Sequence, residues 1–330
     1  MLELQDAGGF CGMENPLDDG LRAQGCCFYL ADRIMPHARL FHSCLLLLAA
    51  APHVQGQQEA PAELRPRWEA GARYLQETLT ETVTDLSALG SKPEQGMKVK
   101  QTTRIEVRPG EEGGKLARVT FTAMSGEAIL DGKRQTFDSS DLVSASPEIR
   151  ASVGRSLGQS FVLVYDKEDR FVEVRDSSSM LPPTEDGQPK LEGIAEAAEV
   201  AELFRRSLEM GLPKTAVRSG DHWTTQEEVR FPSAGAVKVE LRARYEAQVD
   251  YLGRPHAKIS FNGVMKPSEE SAGARPVTLG EGSKLFGQVL FDLGAAMTSF
   301  GAFRADLTLD VRGKKVPVRQ QVTTRMTREG

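Results

Sequence analysis

From Tyr74 onward, apolar and polar residues alternate over long stretches of the chain. Met97, Val99, Ile105 and Val107 share one parity, with Gln101 and Thr103 between them. Ala117, Val119, Phe121 and Ala123 alternate with Arg118, Thr120 and Thr122. The run Val237, Val239, Leu241, Ala243, Tyr245, Ala247, Val249, Tyr251 is unbroken. Phe303, Ala305, Leu307, Leu309 and Val311 repeat the pattern, followed by Val316, Val318, Val322 and Met326 with Gln320 and Thr324 in register. A period of two puts one set of side chains on a buried face and the other in water. Such strands suit antiparallel sheet with one wet face, not buried parallel sheet.

Turn residues fall between these runs. Asp131-Gly132 separates a strand ending AIL from KRQTF, and Asp-Gly favours the tight type I′ hairpin. Gly110 to Gly114, Gly253 and Arg312-Gly313 part other strand pairs, and Lys167-Glu168-Asp169 joins FVLVYD to RFVEV. Residues 190–210 break the pattern. There Leu191, Ile194, Ala198, Ala201, Phe204 and Leu208 recur at the three- and four-residue steps of one helix face. Glu202 and Arg206 form an i,i+4 pair, and Gly211 and Pro213 stop the helix. A Pro-rich loop from Pro182 to Pro189 precedes it.

Ala117-Arg118-Val119-Thr120-Phe121-Thr122 matches Ala257-Lys258-Ile259-Ser260-Phe261-Asn262 type for type. The expected fold is therefore mainly β, with two related antiparallel halves of curved sheet joined by one amphipathic helix. The first half covers 57–189, the helix 190–211 and the second half 212–330.

The start of the chain has a different character. Residues 35–56 run from Met35 through a short basic region with Arg39 and an apolar stretch, Leu40 to Ala51, to Val54 and Gly56 at the −3 and −1 positions of a cleavage site. This is the layout of a secretory signal peptide. Its apolar run is shorter than the roughly 20 residues a membrane span needs. Residues 1–34 are then expected to be an upstream segment outside the natural protein. Cys44 precedes the leucines, so no lipoprotein cysteine is in place.

Composition agrees with export. All four cysteines (Cys11, Cys26, Cys27, Cys44) lie in the first 44 residues, and only His222 and His256 remain in the body. A structural zinc site needs about four Cys or His ligands, so neither zinc nor a disulfide framework is expected, and no cofactor. Removing residues 1–56 takes three basic and six acidic groups from totals of 41 and 46. The nearly neutral remainder, with 6% aromatic residues overall, gives no reason to expect nucleic acid as a partner.

Several short motifs together resemble a bacterial family of unknown function, the DUF6263 proteins. Gly71-Ala72-Arg73-Tyr74 opens a Thr-rich strand, Leu157-Gly158-Gln159-Ser160-Phe161 precedes a two-strand unit, and Gly220-Asp221-His222-Trp223 follows a helix and a proline. With the closing hairpin, the similarity covers about residues 65–328. It implies an exported envelope protein. Members are often lipid-anchored, and this chain departs from that pattern. The resemblance carries no activity.

Gly154-Arg155-Ser156-Leu157-Gly158 fits G-x-S-x-G, but a nucleophile elbow follows a strand and opens a helix. Here Pro147 to Ser156 reads as a short helix and FVLVYD as the strand after it, the reverse order. Asp221-His222-Trp223 reads as a turn that starts a strand, with Trp223 in the core. Asp138-Ser139-Ser140-Asp141 lacks the spacing and glycine of a calcium loop. The expected role is non-catalytic: binding a lipid or other apolar ligand, or an envelope partner, outside the cytoplasm. Tyr245, Phe261, Phe291 and Phe303 are the candidate lining residues, on the argument that curved sheets enclose apolar cavities. The alternatives are a serine hydrolase using Ser156 and a structural envelope protein with no small ligand.

Overall fold

The computed structural model describes residues 60–90, 94–130, 132–175, 197–231, 235–268 and 277–330. The expected upstream and signal segments, 1–34 and 35–56, lie outside the described residues. So do the Pro182–Pro189 loop and the first turns of the expected helix, 190–196.

The strands are β1 (Arg73–Asp85), β2 (Glu94–Pro109), β3 (Lys115–Leu130), β4 (Lys133–Asp138), β5 (Ser160–Tyr165), β6 (Phe171–Arg175), β7 (His222–Phe231), β8 (Gly235–Tyr251), β9 (Arg254–Pro267), β10 (Val277–Leu279), β11 (Ser283–Asp292), β12 (Met297–Val311) and β13 (Lys314–Glu329). Helix α1 spans Pro147–Ser156 and α2 spans Ala197–Glu209. All strands join one antiparallel sheet in the order β6-β5-β3-β2-β1-β13-β12-β11-β9-β8-β7, with β4 on β3 and β10 on β12. The sheet is curled and unclosed, with β6 and β7 at its edges.

The two expected halves share this sheet. β1 pairs with β13 from Arg73↔Glu329 to Thr84↔Val318. Short turns make most consecutive strands neighbours, but β3 also pairs with β5, skipping β4, and β9 pairs with β11 while β10 lies against β12. Leu252-Gly253 and Arg312-Gly313 both take positive φ at two successive residues (54° and 72°, 53° and 80°), the type I′ geometry. In each, an Asp two residues earlier steadies the turn: Asp250 Oδ1 accepts from Gly253 N, and Asp310 Oδ1 from Gly313 N.

The sheet has unlike faces. On β1, Tyr74, Gln76, Thr78, Thr80, Thr82 and Thr84 share the inner face, opposite Ile105, Thr103, Gln101, Val99 and Met97 of β2. The outer face carries the charges, including Lys98–Glu81 at 2.7 Å and Lys100–Glu77 at 2.5 Å. Two cores lie along the sheet. The first gathers Trp68, Tyr74, Ile105, Val119, Phe161 and Tyr165, with Ala201 and Leu208 of α2. The second gathers Leu64, Val237, Tyr245, Ile259, Phe261 and Phe291. Membership crosses the halves: Met297 and Met326 enter the first core and Leu64 the second.

Three alternating runs behave differently from their sequence pattern. The ladder steps from Tyr245↔Ile259 to Ala247↔Lys258, so Glu246 is an extra residue, and Ala247, Val249 and Tyr251 turn to the other face. In β3 the step from Thr103↔Phe121 to Thr102↔Ala123 makes Thr122 the extra residue. Ala123 therefore leaves the face of Phe121, and Met124 takes its place. β-Bulges of this kind invert every later side chain. Met97 has the expected parity but is 47% exposed, at the far end of β2 from Ile105 and Val107. The matched aromatics Phe121 and Phe261 are both buried, on strands with a partner on each side: β3 between β5 and β2, and β9 between β11 and β8.

Candidate functional site

The site forms where α2 ends over the inner face, between the two cores. Gly287 of β11 lies directly between Phe261 on β9 and Phe303 on β12. A side chain there has no room: an added Cβ would stand 2.7 Å from Phe261 Cε2 and 2.8 Å from the Ala302 carbonyl. Gly211, just past α2, has φ 75°, and its added Cβ would stand 2.7 Å from Phe261 Cδ1. The Phe261 ring is thus held between two glycines. Two residues along, Gly301 of β12 lies between Val289 and Thr324, and a Cβ there meets only Val289 Cγ1 at 3.7 Å. The missing side chain leaves a cavity of about 30 Å³, with room for about one water.

Phe261, Phe303 and Met326 supply its apolar wall and Leu208 and Met210 its roof. Five polar residues line it, Ser207, Gln288, Thr298, Thr324 and Gln76, of which only Gln76 is buried. This residue is 3% exposed, placed between Thr103 and Met326 on the neighbouring strands. Its Oε1 has no hydrogen-bond partner. Buried amide oxygens are nearly always paired, so this one is an exception among the described residues.

Helix α2 is held from both sides. Phe204 packs edge-on to Phe161, with centroids 5.6 Å apart. Arg205 stands 4.7 Å over the Phe171 ring and bonds Glu202 and Glu209. Arg205 holds the Glu202 carboxyl below its usual range, while burial pushes Glu209 up. The expected Glu202–Arg206 pair is present at 2.7 Å, and Arg206 reaches on to Glu227 of β7. At the C-terminal end the ties are lighter. Thr298 Oγ1 donates to the Leu208 carbonyl at 3.5 Å, and Trp223 Nε1 to the Gly211 carbonyl at 3.2 Å.

Of the four candidate lining residues, the structure brings Phe261 and Phe303 to the cavity. Tyr245 and Phe291, each 1% exposed, belong to the second core and do not line it. Gln76 and Gly301 are the residues the alternation did not single out. A glycine inside a long alternating strand was the available signal, since it marks a bulge or a close approach.

The other motifs resolve as structure. Ser156 is the last residue of α1, ahead of β5, with Gly158 at φ 76° stopping the helix. Asp221 Oδ2 accepts from Arg218 N, and the exposed His222 ring meets the Gly220 carbonyl through Nδ1, so the two do not form a carboxylate–imidazole pair. Trp223 packs against the second core. Asp138 accepts from both Ser140 N and Ser140 Oγ, a self-contained turn, and the described residues hold no cluster of three or more metal-ligating side chains.

One buried polar cluster contains Ser, His and Asp. His256 on β9 meets Ser299 Oγ through Nε2 at 3.0 Å, and its Nδ1 donates to the Arg254 carbonyl at 2.9 Å. Asp292 Oδ2 lies 3.8 Å from Nε2 and 2.8 Å from Arg254 Nη1. A catalytic triad needs the carboxylate on Nδ1 and an open approach to the hydroxyl. Here the carbonyl occupies Nδ1 and the imidazole is fully buried. Ser299 is the extra residue where the ladder steps from Leu290↔Phe300 to Phe291↔Thr298, and the cluster satisfies that break in the sheet.

Comparison with known proteins adds little. No family model matches the chain, and no curated protein matches it. Among solved structures, MucB in complex with MucA(peri) aligns over 78% of this chain and 89% of its own, at 12% identity and a TM-score of 0.13. The Pseudomonas aeruginosa MucA/MucB complex aligns over 78% and 94%, at 11% identity and the same TM-score. At such scores the likeness bears on neither fold nor function. No helix among the described residues is long and apolar enough to cross a membrane.

Proposed function

We propose that this is an exported, non-catalytic binding protein of the DUF6263 kind, which takes a lipid or other apolar ligand on the inner face of its sheet. The observation that supports this is the cavity under the end of α2, walled by Phe261, Phe303 and Met326 and kept open by Gly301. Sites for small molecules are usually concave, mostly apolar and about 300–1,000 Å³. The cavity is far smaller than that, so a ligand enters by one end, and the lightly tied end of α2 moves aside to admit the rest.

Filling the cavity tests the reading. In Gly301→Val the first carbon has ordinary contact distance to Val289, and the branch occupies the void. Wild-type protein should enhance the fluorescence of N-phenyl-1-naphthylamine, an uncharged apolar probe. Gly301→Val should lose that response while unfolding at the same or a higher denaturant concentration. A variant that binds the probe like wild type puts the site elsewhere.

A further inference from the structure

We infer that the outer face of β8, β9, β11 and β12 docks on an anionic membrane surface, with Phe286 and Val264 set among the lipid headgroups. This surface is separate from the cavity, which lies on the inner face. Phe286 lies between Asn262 of β9 and Arg304 of β12, and Val264 between Glu240 of β8 and Lys284 of β11. The two apolar side chains are diagonal neighbours on the face that alternation gives to water, and they are 44% and 39% exposed. Arg242, Lys266, Lys284 and Arg304 stand around them, all exposed, with Lys238 on the far side of Lys266.

The charges here are badly placed for the sheet alone. Glu240 pairs with Arg242 at 3.8 Å and Asp306 with Arg304 at 2.9 Å. Lys238, Lys266 and Lys284 form no ion pair among the described residues. Lys238 and Lys266 stand directly opposite each other across β8 and β9, and Glu228, opposite Lys238 on β7, accepts from Ser268 Oγ. Like charges directly opposite destabilise a sheet, and an anionic partner relieves that repulsion. On β1 and β2, by contrast, the same outer face pairs its lysines, Lys98 with Glu81 and Lys100 with Glu77. The whole chain has a formal net charge of −5, so cations gathered on one patch do not follow from its overall balance. Shape selects the kind of partner. Both cores lie on the inner face, so the curled sheet turns its convex side here, and all four strands are interior ones with no free edge. A peptide docks in a groove or along an edge. A bilayer needs neither: a convex crest meets it, lysines and arginines are drawn to its anionic headgroups, and an aromatic ring sits well at that level.

Co-sedimentation with vesicles tests this. The protein should partition onto vesicles of phosphatidylcholine mixed with phosphatidylglycerol at least about tenfold better than onto phosphatidylcholine alone. Salt at about 0.5 M should remove most of that preference. The double variant Lys266→Glu, Lys284→Glu should lose it in low salt. Lys98→Glu with Lys100→Glu makes the same change of charge on the paired part of the outer face and should bind within about threefold of wild type. Phe286→Ser should weaken binding about fivefold or more while unfolding at an unchanged denaturant concentration, since its ring is already exposed. Gly301→Val should bind the mixed vesicles like wild type, which keeps membrane docking distinct from uptake of a lipid into the cavity. Equal partition onto the two kinds of vesicle, equal loss in the two charge-reversed pairs, or loss in Gly301→Val would overturn the inference. So would retention on immobilised polyglutamate, lost in Phe286→Ser, by a protein that ignores both vesicles, because the face would then take an acidic polypeptide. If Phe286→Ser fails to fold, the charge pairs and the salt dependence still decide.

Discussion

The two cores on one sheet are built differently. The first is a stack of rings. Trp68 meets Tyr74 edge-on at 5.5 Å and Tyr165 at 5.8 Å, and Phe161 meets Phe121 at 6.2 Å and Phe204 at 5.6 Å. Helix α2 closes it, and Asp169 ties Trp68 N to Lys115 Nζ, with the lysine at 2.6 Å. The second is mostly aliphatic and is notched by glycines around Phe261, with Leu64 and Leu212 from irregular chain among its members. Rings interlock into a filled volume. Gly287 and Gly211 make room for the Phe261 ring, and Gly301, which meets only Val289, leaves the space where the cavity opens. The filled core anchors the helix, and the notched one gives its free end something to cover.

Truncations should expose this difference most. Phe161→Ala removes a fully buried ring with two aromatic partners and should cost about 3–5 kcal/mol in denaturant unfolding. Phe261→Ala should fall at the low end of that range, because its ring already borders a void. A larger loss at Phe261 than at Phe161 would mean the second core is the better packed.

Gly287→Ala comes next. Its methyl has no room beside Phe261 and the Ala302 carbonyl, and overpacking of this kind costs about 1–3 kcal/mol. Gly301→Ala, with ordinary spacing, should be neutral or stabilising. If both alanines behave alike, the glycines do not shape the site.

A smaller effect belongs to the aromatic core at high pH. Burial pushes the Tyr165 phenol well above its ordinary range. A folded-state value above the unfolded one means the unfolded chain releases its proton first. Stability from this group is therefore complete below the unfolded value near pH 10 and falls above it, by about 1.4 kcal/mol per pH unit until the folded value is reached. Unfolding midpoints at pH 9 and pH 11 should drop more for wild type than for Tyr165→Phe. Parallel drops would show that the phenol ionises freely.

The smallest effect is expected outside both cores. Glu77→Gln breaks the exposed pair with Lys100 and should change stability by less than about 0.5 kcal/mol. A large loss would mean that the outer face contributes more than its exposure suggests.

Alternation showed the strands well, because a single wet face forces one parity along the whole length of a strand. Their hairpins were equally plain from Gly253 and Gly313. The bulges were hidden, since Glu246 and Thr122 are ordinary strand residues and only the partner strand shows which one is extra. For the same reason Val249 and Tyr251 read as core of one face when they lie on the other. At the site, Phe261 and Phe303 were visible as aromatics at inward positions, as were Tyr245 and Phe291. Separating the two pairs needed the register across Gly287, which no single strand contains. Gln76 was unreadable, because a polar residue in a Thr-rich strand looks solvated until its neighbours bury it.

The pairing of β1 with β13 also bears on how the chain reaches this state. Arg73 sits opposite Glu329, so the strand formed early in the sequence waits for one made at the far end. Contacts this distant fold slowly, since a long loop must close before they form. Until then β1 presents one bare edge over twelve positions, the kind of edge that recruits other chains. Its outer face, with Glu77 and Glu81 among the strand's alternating residues, keeps that waiting edge charged. The inner row of threonines, able to bond water, keeps it from being greasy. The polarity of β1 thus suits a nascent strand that must remain unpaired and soluble while the rest of the sheet assembles.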